Sequence, residues 1–338
     1  MGRVAGECLS VSGGGVGGTV YIDRKDAELR LEGRALAVYV SGDRTGTVPL
    51  VPLDRIVLVG QIHLQTRVLH RLAAEGIDVV FLSGKRQTFS GRLVGRVHRH
   101  GRVRVAQYQQ SHGALALSLS RQWVDTKLER QQAVLRELAE AKQLDGRLAI
   151  HAQEVFEAVR PQVQAVASLE QLRGLEGAAA AAYFRAFATA FPPSLQFQGR
   201  QRRPPTDPVN ALLSLTYTLV HWEWVRECET IGLDPVIGFY HEFDYGRDSL
   251  ACDLMEPTRP LIDHWVWTLF HHRQLTGRDF SSDQERPGCY LKKSARSRYY
   301  QVYETWMAER RALMRAEVAR LVQQVLHGEH AGEDAVSF

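Results

Sequence analysis

The chain of 338 residues carries only four cysteines, Cys8, Cys228, Cys252 and Cys289, widely scattered and without a CxxC pair. Such spacing excludes a disulfide framework and a thiolate zinc site as organising devices, and leaves free, packed thiols. No apolar run approaches the roughly 20 residues that span a bilayer, and the stretch from Met1 to Gly18 lacks the apolar core of a signal peptide. A cytoplasmic location is therefore expected. Neither sign of charge dominates, because 42 Lys and Arg against 38 Asp and Glu is a surplus too small to name a partner. No internal repeat is present. What the chain does have is 44% hydrophobic and 24% charged residues, the proportions of a globular protein able to bury a sizeable core. Its length suits two ordinary domains.

Residues 12–18 (SGGGVGG) are flexible by composition, so 1–18 is expected to be a flexible glycine-rich leader, with the fold starting near Thr19. The glycine run has the look of a junction in a longer fused chain. From Thr19 to about residue 100, short β-prone runs alternate with turn signals: TVYI, ELRLEG, ALAVYVSGD, TVPLVPL, RIVLVG, DVVFLSG and TFSGRLVG. One helix interrupts them, where Leu64, Val68, Leu69 and Leu72 fall at helical spacing. Beyond Gly101 the period changes, and 103–144, 147–166, 168–190, 207–230 and 249–274 show helix-like apolar spacing. Pro192, Pro193, Pro204, Pro205 and Pro208 force a break around 191–207, and a loop is expected over 275–290. The expected fold class is α+β, with an N-terminal mainly β domain (19–100), a larger all-α domain (101–327) and a polar tail (328–338).

Positive charge gathers in 92–104 (RLVGRVHRHGRVR), in 200–203 (RQRR) and at Lys292, Lys293, Arg296 and Arg298. Such clusters either track a phosphate backbone or form an ordinary solvated face. Three other segments carry candidate chemistry. In 231–260 (IGLDPVIGFYHEFDYGRDSLACDLMEPTRP) a turn-rich loop with His241 leads into a helix that Asp248 or Ser249 would cap, with Asp253 and Glu256 three residues apart on it. An imidazole with carboxylates suits Mg²⁺ or Mn²⁺, although a surface histidine beside a charged helix is the commoner arrangement. In 172–184 (LRGLEGAAAAAYF) Glu176 sits in an alanine-rich helix, where interaction with the helix dipole alone would account for it. In 202–217 (RRPPTDPVNALLSLTY) Asp207 and Pro208 read as a helix start, and the helix carries Asn210 and Tyr217. Tyr217 fits both a phosphate contact and a buried, satisfied hydroxyl.

These three blocks, in this order, resemble the universal CRISPR-associated spacer-acquisition integrase, the Cas-one family, and the resemblance extends over nearly the whole chain. It implies a metal-dependent DNA endonuclease and integrase that inserts spacer DNA into a CRISPR array by attack of a 3′-hydroxyl on a phosphodiester. It further implies that Glu176, His241 and Glu256 are the catalytic residues and the ligands of Mg²⁺ or Mn²⁺. Asp253, Tyr217, Arg247, Ser249 and Asn210 take supporting positions. Implied partners are spacer DNA and the CRISPR repeat, a second copy of the chain in a homodimer, and a small Cas-two subunit. Cys252 and the glycine-rich start depart from the family pattern. The competing readings are another metal-dependent DNA phosphodiesterase, which would cut without joining, and a non-catalytic DNA-binding scaffold.

Overall fold

A computed structural model describes residues 9–12, 18–84, 87–95, 100–201, 204–282 and 288–333. The chain divides into two compact units, Met1–Val97 with Lys292–Leu313, and His98–Leu291 with Met314–Phe338. A piece of C-terminal helix, up to Leu313, thus belongs to the first unit.

In that unit β1 (Leu9–Ser12), β2 (Gly18–Ile22), β6 (Leu53–Val59), β8 (Asp78–Leu82) and β9 (Phe89–Leu93) form one sheet in the order β1-β2-β6-β8-β9. The hairpin strands β3 (Ala27–Glu32), β4 (Ala35–Val40) and β5 (Asp43–Pro49), with β7 (Ile62–Leu64), form a second sheet in the order β5-β4-β3-β7. The helix expected from Leu64, Val68, Leu69 and Leu72 is α1 (Thr66–Ala74); Leu64 falls before it, in β7, and α1 buries Val68 and Leu72. Val20, Ile22, Leu29, Leu36, Val38, Ile56, Leu58 and Val79 join those two in a common core. Each such side chain contributes about 1.5–3 kcal/mol when fully buried. Leu9–Ser12 corrects the leader expectation: it pairs antiparallel with β2, from Leu9 opposite Ile22 to Ser12 opposite Thr19. Four residues of mixed polarity carry too little periodicity to stand out as a strand, and pairing with a neighbour is what defines this one. The remainder of that leader, 1–8 and 13–17, lies outside the described residues.

Strand β6 is buried at nearly every position, as a central strand covered on both faces must be. The start of α9 (Lys293–Glu333) packs against β2. Tyr21 alternates to the face opposite Val20 and Ile22 and stacks on Tyr300 at 3.9 Å between ring centroids. Its hydroxyl donates to Glu304 at 2.7 Å, and Arg296 pairs with Asp23 at 3.0 Å. The buried Arg296 is thus a structural member of the third basic cluster.

The second unit holds α2 (Gly101–Gln110), α3 (Ala114–Glu140), α4 (Gly146–Val163), α5 (Leu169–Phe187), α6 (Pro208–Ile231), α7 (Ser249–Met255) and α8 (Arg259–His271). Asp207 accepts from the Asn210 amide at 2.8 Å with Pro208 in the first helical position, so α6 starts as its sequence predicts. The unit is not purely helical: β10 (Phe280–Ser282) and β11 (Cys289–Leu291) pair antiparallel inside the expected loop. Three-residue strands are too short to show a period of two. No helix among the described residues is long and apolar enough to cross a membrane.

Candidate functional site

The centre of the site is a lysine. Lys127 lies on the stripe of α3 that buries Val124, Leu128 and Gln131, so its side chain is only 7% exposed. A buried ammonium needs partners. It finds two, donating to Glu176 Oε1 and, at 2.5 Å, to Glu256 Oε2. Glu176 comes from α5 and Glu256 from the 3₁₀ turn Glu256–Thr258 that joins α7 to α8. Helix-dipole stabilisation does not explain Glu176, because α5 begins at Leu169 and the dipole acts within the first turn.

The second oxygen of Glu256 accepts from Arg259 Nε at 2.8 Å and stands 3.8 Å from His241 Nε2. Burial alone would push the Glu256 carboxyl up, but Arg259, Lys127 and His241 outweigh it and hold the group well below the usual carboxylate range. Burial likewise opposes the charge on Lys127, and Glu256 and Glu176 together keep its pKa above the ordinary lysine value.

His241 is oriented from the other side. Asp253, fully buried, accepts from the backbone N–H groups of Phe239 (2.6 Å), Tyr240 (3.0 Å) and His241 (2.9 Å), and contacts His241 Nδ1 at 2.7 Å. Asp253 thus holds the ring by Nδ1 and turns Nε2 toward Glu256. Three residues apart on one helix end, Asp253 and Glu256 flank the two nitrogens of the same imidazole, at 2.7 and 3.8 Å. Asp253 closes the loop, and Glu256 faces the pocket.

The loop is packed tightly enough to demand glycine at 238. A Cβ there would lie 2.8 Å from Asp253 Oδ2 and from two atoms of Ser249. Gly238→Ala is expected to cost about 2–4 kcal/mol by overpacking and to weaken activity through His241. Chemical denaturation beside a DNA-joining assay checks this, and an alanine variant of unchanged midpoint would mean that the loop has slack.

The remaining expected residues make the following contacts. Ser249 is buried and donates to the Glu242 carbonyl at 3.0 Å. Asp248 does not cap α7 with its side chain; it contacts His221 at 3.1 Å instead. Asn210 donates to the Gly199 carbonyl at 2.9 Å and accepts from Arg200 at 2.9 Å and the Gln201 amide at 2.8 Å, tying down the proline-rich connection. Tyr217 donates to Asp263, and the guanidinium carbons of Arg200 and Arg259 lie 5.2 and 5.0 Å from its ring centroid. Its buried-hydroxyl alternative is the one that holds. Arg247 lies 3.5 Å from Asp244 in an exposed turn. Arg202, Arg203 and 96–99, from two of the basic clusters, lie outside the described residues.

Sequence reasoning missed Lys127, Arg259 and Arg173, which donates to the Tyr240 carbonyl at 2.9 Å and to Glu242 at 2.6 Å. A lysine within the apolar stripe of α3 was the available signal for the first.

A β unit and a helical unit, the latter holding an oriented imidazole 3.8 Å from a buried carboxylate that shares a lysine with a second one, define an α+β protein with a charged site of nuclease type. The chain belongs to the CRISPR associated protein Cas1 (Cas-one) family, whose model matches residues 20–305. It is 44% identical over 309 residues to the CRISPR-associated endonuclease Cas1 1 of Thermodesulfovibrio yellowstonii, covering 91% of this chain and 97% of that one. It is 36% identical over 310 residues to Cas1 3 of Thermus thermophilus, covering 89% and 88%. A Cas4/Cas1 fusion of Geobacter sulfurreducens matches at 34% identity over 87% of this chain and 54% of its own length. Among solved structures, a Cas1 protein from Thermotoga maritima shares the fold, with a TM-score of 0.78 at 20% identity over 91% of this chain and 96% of that one. A casposase bound to integration product does so as well, with a TM-score of 0.78 at 20% identity over 91% and 90%.

Proposed function

We propose that this chain is a divalent-metal-dependent DNA endonuclease and integrase that inserts spacer DNA into a CRISPR array, with Glu176, His241 and Glu256 as metal ligands. The observation that carries the reading is the orientation of His241. Its Nδ1 is committed to Asp253 at 2.7 Å, so Nε2 is turned toward Glu256, 3.8 Å away. A carboxylate that fixes a histidine tautomer from behind is the usual support of a metal-bound imidazole. One nitrogen and carboxylate oxygens suit Mg²⁺ or Mn²⁺. When bound, the ion supplies Lewis-acid polarisation of a phosphoryl oxygen and stabilises charge that develops there.

The protein's own contribution is positioning. Asp253 aims the imidazole, Arg259 anchors Glu256 Oε1 at 2.8 Å, and Arg173 fixes the loop through the Tyr240 carbonyl at 2.9 Å. A DNA 3′-hydroxyl attacking the activated phosphate yields strand joining, and water in its place yields cutting. The partners that accord with family membership are DNA, a second copy of the chain and a small Cas2 (Cas-two) subunit. The test is strand transfer of a labelled DNA with and without Mn²⁺: joining that persists in excess chelator would rule out the metal, and cutting without joining would favour a plain phosphodiesterase.

Affinity for DNA is expected to be mainly electrostatic and weakly dependent on sequence, because phosphate contacts release counterions. If six phosphates are neutralised, affinity falls by about 10³-fold between 50 and 200 mM salt. Fluorescence anisotropy across that range measures the slope, and a flat response would make the basic clusters mere solvated surface.

A further inference from the structure

We infer that Lys127 is a resident cation of this site: its ammonium clasps Glu176 and Glu256 while no metal is bound, and it must withdraw before a divalent ion can bridge them. The inference rests on the metal reading above. Lys127 donates to both carboxylates and is 7% exposed, so it lies between the two groups rather than at their edge. No three His, Cys, Asp or Glu side chains among the described residues are grouped as a ready metal cage.

Charge balance makes the exchange obligatory. Two carboxylates already face two cations, Lys127 and Arg259, in a buried setting. A divalent ion touching Glu176 Oε1 and Glu256 Oε2 would stand in the place of the ammonium, with strong repulsion at that separation. Of the two cations Lys127 is the one able to leave. Arg259 is a planar group held on Glu256 Oε1 at 2.8 Å and against the Tyr217 ring at 5.0 Å, whereas Lys127 is a compact charge on a flexible four-carbon stem. Its partner Glu176 and the His241 that faces Glu256 are partly exposed, with side-chain exposures of 21% and 26%, so the cluster reaches solvent. Lys127 is thus a positioning residue that sets metal affinity by competition and keeps two like charges from springing the metal-free pocket apart.

The experiment is calorimetric titration of Mn²⁺ into the full chain and into Lys127→Met, with melting curves of each with and without metal. The neutral variant is expected to bind Mn²⁺ about tenfold or more tightly and to melt lower when metal-free, with a larger rise in Tm at saturating Mn²⁺. Unchanged or weaker Mn²⁺ affinity in a folded Lys127→Met protein overturns the inference. Absence of Mn²⁺ binding in both proteins overturns it together with the metal reading, which separates the two failures. A measurement on the unaltered chain needs no variant: acylation of Lys127 by an amine-reactive reagent, read by mass spectrometry, is expected to rise on addition of Mn²⁺. Equal labelling with and without the ion counts against displacement.

Discussion

Replacing His241 with alanine is expected to lower metal-dependent cutting and joining of DNA by at least about 100-fold while changing folding stability by less than about 1 kcal/mol. The imidazole is partly exposed, and its loss leaves Asp253 with its three backbone donors. The loop should therefore keep its shape and lose only the nitrogen that faces Glu256. Strand transfer at saturating Mn²⁺, with denaturant midpoints measured in parallel, checks both halves; retention of a tenth or more of the wild-type rate would remove His241 from the ligand set. Glu256→Ala is a poorer probe of the same idea. It leaves the buried Lys127 and the partly exposed Arg259 without their shared carboxylate, and breaking a buried pair in this way costs about 3–5 kcal/mol. Glu256→Gln retains the shape and separates lost chemistry from lost fold.

Asp253→Ala is expected to destabilise the unit by about 3–5 kcal/mol, as much as Glu256→Ala. Three backbone N–H groups of 239–241 would be left buried without their acceptor, and His241 would lose the contact that selects its tautomer. Activity should fall a further 10–100-fold at a temperature where the variant remains folded, the usual cost of removing a residue that orients a metal-bound histidine. Ser249→Ala, which removes one hydrogen bond to the Glu242 carbonyl, is the matched control at about 1 kcal/mol. Equal midpoints for the two variants would show that Asp253 does not organise the loop.

Local chemistry was legible without coordinates. Strands with strong alternation, the helix at Val68 and the start of α6 at Asp207–Pro208 follow from short-range preferences that residues carry wherever they are placed. Strands β1, β7, β10 and β11 escaped notice because three or four residues hold too little pattern, and pairing alone defines them. The candidate ligands emerged from motif blocks, each with a bland alternative of its own that spacing could not remove.

The sequence by itself determined the α+β class, the family to which the chain belongs and the three segments that carry Glu176, His241 and Glu256. Tertiary structure alone decided what those side chains do to one another. It turned Asp253 from a second acid beside Glu256 into the acceptor that holds the loop, and it brought Lys127 from α3, 49 positions before Glu176 and 129 before Glu256, between the two carboxylates. It also assigned the start of α9 to the β unit through the stacking of Tyr21 on Tyr300. Contacts between residues so distant in the chain leave no period or spacing to read, because the free energy that selects them comes from burial and from the need of every buried charge to find a partner, and both arise only when the helices pack.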